Sequence, residues 1–425
     1  MGIGRRTWVA GGAAALVAAW AVRPSDRGAG LSPYFATLAK ALASQPAMPT
    51  LVVDRARLRA NLARVRRIAH PKLPLRVVVK SLPALGLIDE ALTAWGSSRA
   101  MLFNAPQLVQ LARERPKLDV LLGKPLPVSA AAWALDRLAH GSFDPERQLQ
   151  WLVDTPARAS EYAALARQRG RPMRVNVEID IGLHRGGVET EADLSAVLDV
   201  IRAEPMLRFA GLMGYDAHVS AIPDVPGLRA RALAQARQRY AALHALAAQR
   251  LAGAGLPQPW TLNTAGSPTF HLHDDSRAAN ELSVGSAAVK PSDFDKPSLA
   301  ELEPAAFIAT PVLKTMERFR LPVGVEALSA AAAWWDVNQR RALAIHGGHW
   351  LADPVSPPGI APSTLYGPSS NQQVLVASPA TPLRVGDWVF LRPRQSEAVF
   401  LQFGDLAVVE QGQVVANWPA FAASA

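Results

Sequence analysis

Between residues 50 and 269, strand-like and helix-like stretches alternate, and this alternation limits the possible folds more than any other feature. Short apolar runs recur as TLVVD (50–54), LRVVVK (75–80), RAMLFN (99–104), LDVLLG (118–123), LQWLVD (149–154), MRVNVEIDIG (173–182), FAGLMGYDAH (209–218) and WTLNTAGSPT (260–269). Helical spacing fills the gaps, as in Leu58, Leu62, Val65 and Ile68 after the first run. Strands separated by helices at this pitch predict a parallel sheet. Eight such units in ~250 residues predict an α/β fold of the TIM-like (β/α)8 barrel type. A doubly wound sheet is the alternative, but no Gly-x-Gly-x-x-Gly follows the first run.

From about residue 305 the pattern changes to short strands with Gly-Asp and Gln-Gly turns, which predicts a C-terminal antiparallel β domain over 305–422. The barrel is assigned to 48–304. The stretch ADPVSPPGIAPSTLYGPSS (352–370) holds five prolines and reads as a loop. With 49% hydrophobic residues among 425, the chain can bury a large core.

Residues 1–28 read as a signal peptide or an N-terminal membrane anchor. Arg5 and Arg6 precede an uncharged stretch, Thr7–Val22, and Ala19-Trp20-Ala21 resembles a small-x-small cleavage site. The positive flank predicts a body outside the cytoplasm: exported, periplasmic, or anchored in the inner membrane and facing the periplasm. The net charge is +10, but no Lys/Arg run interleaves with aromatics, so no nucleic-acid partner is expected. The absence of cysteine excludes disulfides and thiolate chemistry.

Lys80 ends a buried strand, where a lysine is unusual. In a barrel the strand C-termini carry catalytic groups, and an amine placed there suits a Schiff base with a carbonyl. Other strand ends add Glu178, Asp180, His184 and Arg185, then Tyr215 and His218. The NTAGSPT turn (263–269) and ELSVGSA (281–287) supply donors for a phosphate. Together these are the needs of pyridoxal 5'-phosphate.

On these residues the sequence resembles the fold-type III pyridoxal-phosphate enzymes over about 48–420, in particular the D-threonine aldolase and D-serine dehydratase branch, with alanine racemase more distant. The match Glu178-x-Asp180-x-Gly182-x-x-Arg185-x-Gly187-Val188 is the most specific element. Arg76 and Lys80 match the lysine motif, while the Pro-His between them is replaced by Val78-Val79. The resemblance implies Lys80 as the Schiff-base lysine, Arg185 facing the cofactor's phenolate oxygen, and Arg76 and Tyr215 at the cofactor. It also implies Thr264, Gly266, Ser267, Thr269, Gly285 and Ser286 around the phosphate, His218 as a further catalytic residue, and a homodimer.

The branch uses a divalent metal bound by a Pro-Asn-His-x-Cys or -Asp segment. Here the segment is Pro393-Arg394-Gln395-Ser396-Glu397, and the earlier acidic–acidic–His element is Ser370-Asn371-Gln372-Gln373. Gln395 and Glu397 are weak metal candidates; Glu397 instead reads as a direct acid or base. His271 and His273 read as solvated surface, and His346 or His349 as an alternative base or ligand. The expected function is a lyase acting on a small D-β-hydroxy amino acid. The alternatives are an amino-acid racemase, with Tyr366 as second base, and a non-catalytic pyridoxal-phosphate-binding exported protein.

Overall fold

The structure, a computed structural model, describes residues 23–223, 225–253, 259–274 and 278–422. The chain divides into two compact units: one of residues 53–306, 394–406 and 417–422, the other of 23–52, 307–393 and 407–416. Most of the expected export or anchor segment lies outside the described residues. Its last part does not: Ser25 O accepts from Asn338 Nδ2 and Arg27 N donates to Asn338 Oδ1, both at 2.9 Å, inside the antiparallel unit. Among the described residues, no helix is long and apolar enough to cross a membrane.

After β1 (Thr50–Asp54), eight parallel strands close a barrel: β2 (Leu75–Val78), β3 (Arg99–Leu102), β4 (Asp119–Leu122), β5 (Leu149–Val153), β6 (Met173–Ile179), β7 (Leu207–Gly214), β8 (Thr261–Thr264) and β9 (Glu281–Val284). The closing seam pairs Leu75 with Leu282 and Val77 with Val284. This corrects the expected strand set. TLVVD is not a barrel strand but lies between β10 (Ala306–Met316) and β16 (Asp405–Glu410) in the antiparallel sheet. ELSV takes the eighth place. Its polar residues hid it: Glu281 and Ser283 point to a buried network rather than to an apolar core. Lys80 therefore follows the first barrel strand, not the second.

The helices between strands start where side chains at the strand ends accept their first free N–H groups. Asn104 Oδ1 accepts from Gln107 N at 2.9 Å, and Thr155 Oγ1 accepts from Arg158 N at 3.1 Å. Thr190 and Asp193 form a capping box. Asn104 and Thr155 sit just past the ends of β3 and β5 and turn the chain there at once.

The other unit is built on a nine-stranded, mainly antiparallel sheet. Besides β1, β10 and β16 it contains β11 (Arg341–His346), β12 (Ala352–Ser356), β13 (Ile360–Pro362), β14 (Gln372–Ala377), β15 (Trp388–Pro393) and β17 (Gln413–Pro419). The proline-rich stretch is thus not all loop. β13 pairs only with β14, an edge place where proline's missing N–H is tolerated, and β12 pairs only with β15. A helix, Glu326–Trp335, joins β10 to β11.

Candidate active site

β2 ends at Val78 and the chain turns at Val79–Ser81, with Leu82 N donating to Val79 O at 2.9 Å. That turn places Lys80 at the barrel mouth. Its Nζ lies 4.9 Å from the Phe103 ring centroid and 3.8 Å from Glu397 Oε1. The side chain is 43% exposed rather than enclosed among apolar groups, as the sequence reading expects. Glu397 reaches this place on a short helix, Ser396–Val399. Asp293 anchors that segment, accepting from Gln395 Nε2 at 3.0 Å and from Arg394 Nε at 3.3 Å.

Lys80, Glu397, Arg185 and Tyr215 line one cavity of about 90 Å³ with Gly266, Ser267, Gly285 and Ser286. Arg185 arrives on a loop that folds back on β6. Val188 N donates to Glu178 O and Asp180 N to Val188 O, at 2.9 and 3.0 Å. Gly187 makes this possible: its φ is +94°, and a Cβ there would lie 2.9 Å from Asp180 N. The Arg185 guanidinium carbon sits 5.1 Å from the Tyr215 ring centroid, a cation over an aromatic face. Burial raises the Tyr215 pKa, Arg185 opposes the shift, and Asp216 and Glu397 add to it.

The phosphate turn is pre-shaped. Ser267 Oγ accepts from Gly285 N at 3.2 Å and Ala287 N at 3.0 Å, so its own proton stays free to donate outward. Ala265 holds φ at +69°, a left-handed residue at the start of the turn. Gly266 is required by the Tyr215 ring, whose Cε2 would be 2.6 Å from an added Cβ.

Several expected residues stand elsewhere. Arg76 does not line the cavity. All its donors are used inside the protein, on Glu281, Asp119 and the Ala100 and Asp119 carbonyls, so it is a core residue and not a cofactor ligand. Thr269 Oγ1 donates to Asp216 at 2.6 Å and shapes the turn from behind. Thr264 and His218 are also set back from the cavity lining; burial lowers the His218 pKa. Tyr366 belongs to the antiparallel unit, where its hydroxyl donates to Arg320 O at 3.0 Å. In that unit His346 O accepts from Thr310 Oγ1, and His349 N donates to Gln373 Oε1.

His273 corrects the surface reading: it is buried, with Nε2 2.7 Å from Asp216 Oδ2. Sequence reasoning missed Asp216 and also Ser81, whose Oγ accepts from Ser286 at 2.9 Å and which lines the cavity with Phe103. Asp216 directly follows Tyr215, and that adjacency was the available signal. Glu178 lies behind the Arg185 loop. Burial and Asp154 raise its pKa to about 7, against the pull of Arg185.

Among the described residues the trio spaced for a metal is Asp180, His184 and Glu189, without Gln395 or Glu397. Asp180 is already occupied there, accepting from Gly182 N and His184 N, with the His184 ring 3.0 Å away.

Comparison with known proteins agrees with this fold. The alanine racemase N-terminal domain family matches residues 53–293. A 3-hydroxy-D-aspartate aldolase of Paracoccus denitrificans (strain Pd 1222) is 28% identical over 172 residues, 38% of this chain and 42% of that protein, so the match spans less than half of the relative. The fold is similar to D-threo-3-hydroxyaspartate dehydratase from Delftia sp. HT23 (TM-score 0.68, 18% identity, 91% of this chain and 100% of that one). It is also similar to D-threonine aldolase from Filomicrobium marinum (0.67, 21%, 87% and 94%) and to an alanine racemase from Bacillus anthracis (0.65, 15%, 87% and 97%). Pyridoxal phosphate is the cofactor of these relatives' fold family. With the barrel closed, Lys80 at its mouth and more than half of the chain matched, the protein belongs to the alanine racemase N-terminal domain family, the fold-type III pyridoxal-phosphate enzymes.

Proposed function

We propose that the protein is a pyridoxal-phosphate-dependent lyase acting on a small D-β-hydroxy amino acid, as aldolase or dehydratase. The observation that carries this reading is the amine–carboxylate pair Lys80 and Glu397, 3.8 Å apart in one cavity.

The residues present fit the cofactor. The turn after β8 lines the cavity with the Ser267 hydroxyl, whose oxygen accepts from Gly285 N and Ala287 N, and with Ala265 in the left-handed conformation at φ +69°. Lys80 would hold the cofactor's aldehyde; Ser267, Ser81 and the backbone near Gly266 would hold its phosphate. Arg185 and Tyr215 would flank the ring. When bound, pyridoxal phosphate supplies the electron sink for the pair left at Cα.

The chain's own groups do the proton work. Lys80 serves as base at Cα for dehydration. Glu397 exchanges the proton of the β-oxygen: it takes that proton as the Cα–Cβ bond breaks in cleavage, or returns one to the departing oxygen in dehydration. The racemase reading needs a second base, and its candidate Tyr366 has its phenolic proton on the Arg320 carbonyl. No observation raises it above the lyase reading. The working unit of this reading is a homodimer, which light scattering of the purified protein checks.

Incubation with D-threonine and D-serine tests the reaction. Glycine or a ketoacid is expected, together with a visible absorbance band that disappears in Lys80→Ala. Enantiomer formation in deuterium oxide without net breakdown would replace the lyase with the racemase. Absence of the band in the parent protein would overturn both.

A further inference from the structure

The helix Glu326–Trp335 has the composition of a buried element and the exposure of a surface one. Its sequence EALSAAAAWW carries one charge, and Ser329 is its single buried residue. Leu328 is 57% exposed, Trp334 62% and Trp335 38%, and the preceding turn exposes Val323 and Val325. Ser329 tethers the helix, its Oγ accepting from Leu321 N at 3.2 Å and donating to Glu326 O at 2.6 Å. A contiguous apolar face of this kind marks a surface made to be covered.

Its neighbours indicate the cover. Residues 7–22, TWVAGGAAALVAAWAV, carry no charge and lead directly into Arg23. The Arg23 guanidinium carbon lies 4.1 Å from the Trp334 ring centroid, and Arg23 donates to the Trp334 carbonyl. Arg23, the residue after this apolar segment, is therefore held at the exposed Trp334. Arg318 and Arg320 lie on the strand side of Leu321, exposed and in no ion pair among the described residues.

Tryptophan and arginine beside an apolar segment form the composition of a bilayer's interfacial zone. Exposed arginines pair with anionic headgroups.

We propose that this face, Val323 to Trp335 with Arg318 and Arg320, rests on an anionic phospholipid bilayer in which residues 7–22 anchor the chain. The body then lies on the non-cytoplasmic side, as the Arg5–Arg6 flank predicts.

The chain has no cysteine, so Leu328→Cys in the full-length protein takes a single environment-sensitive dye; Gln168→Cys, on an exposed helix of the barrel unit, is the control. Vesicles of phosphatidylcholine with phosphatidylglycerol should blue-shift and brighten the dye at position 328 and leave the dye at 168 unchanged. Pure phosphatidylcholine should do less. Leu328→Ser with Trp334→Ser should weaken vesicle binding about tenfold or more, given the apolar area removed. Three outcomes would overturn the proposal. The dye at 328 could stay unchanged while the protein floats with the vesicles. It could be shielded before any lipid is added regardless of protein concentration, which assigns the face to residues 1–22 themselves. Or its shielding could rise with protein concentration, which assigns the face to a second copy.

Discussion

Asp216 and His273 meet at 2.7 Å, Oδ2 to Nε2, with both side chains buried. The other carboxylate oxygen of Asp216 accepts from Thr269 Oγ1 at 2.6 Å, and Thr269 Oγ1 accepts from Gly266 N at 3.2 Å. One buried carboxylate thus fixes both ends of the turn proposed to hold phosphate. Asp216→Ala should cost about 3 kcal/mol of stability and release pyridoxal phosphate faster. Thr269→Val should lose about 1 kcal/mol and show a smaller rise in release. Denaturant titration and cofactor release under gel filtration measure the two effects separately.

The second prediction concerns the barrel interior. Glu281 is fully buried, receiving Arg76 Nε at 2.6 Å, Arg76 Nη2 at 3.0 Å, Arg99 Nη1 at 2.7 Å and Asn263 Nδ2 at 2.8 Å. Removing it leaves the buried Arg76 cation with Asp119 alone. Glu281→Ala should cost about 3–5 kcal/mol, and the double variant Arg76→Met/Glu281→Leu less than the single change. Midpoints of urea unfolding at unchanged slope check this.

Glu178 makes stability depend on pH. Its folded pKa stands near 7, raised by burial and by Asp154, against an ordinary value of 4.5. Between those values the folded protein holds a proton that the unfolded chain releases, so this group's contribution is full below the lower value. It falls as pH rises toward 7 and is flat above. Glu178→Gln should therefore match the parent at pH 4 and gain on it progressively up to pH 7. Melting temperatures of both proteins across that range test the crossover.

Chelators should leave activity unchanged. The segment where the branch places metal ligands has Gln395 donating its amide to Asp293 and Glu397 facing Lys80, one carboxylate where several hard or nitrogen donors are needed. Turnover before and after EDTA, with added manganese or zinc, gives the answer. Loss with EDTA and recovery with metal would return Glu397 to a ligand role.

The alternation of strands and helices was legible because most barrel strands are apolar runs with a helix behind them, and one strand was missed. That strand, Glu281–Val284, is short and half polar, since its side chains serve a charge network that periodicity does not reveal. TLVVD carries the opposite lesson: a strand followed by a helix looks like a barrel unit, and only non-local pairing with β10 and β16 places it in the antiparallel sheet. Lys80, Arg185 and Tyr215 were legible because motif spacing places them at strand ends. Arg76 was misjudged because its spacing to Lys80 does not say how deep in the barrel it lies: Arg76 sits within β2 in a buried charge network, while Lys80 lies past the strand's end. His273 was misjudged because a polar neighbourhood, HLHDD, conceals one buried member.

The position of β1 has a consequence for biosynthesis. It lies between strands contributed by residues 306–316 and 405–410, so residues 50–54 have no sheet partner until the chain has been made past the whole barrel and through β10. The barrel, by contrast, is encoded without interruption from β2 to β9 and pairs mostly between consecutive strands. A nascent chain is therefore set to complete its barrel first, with residues 50–54 waiting unpaired until β10 follows.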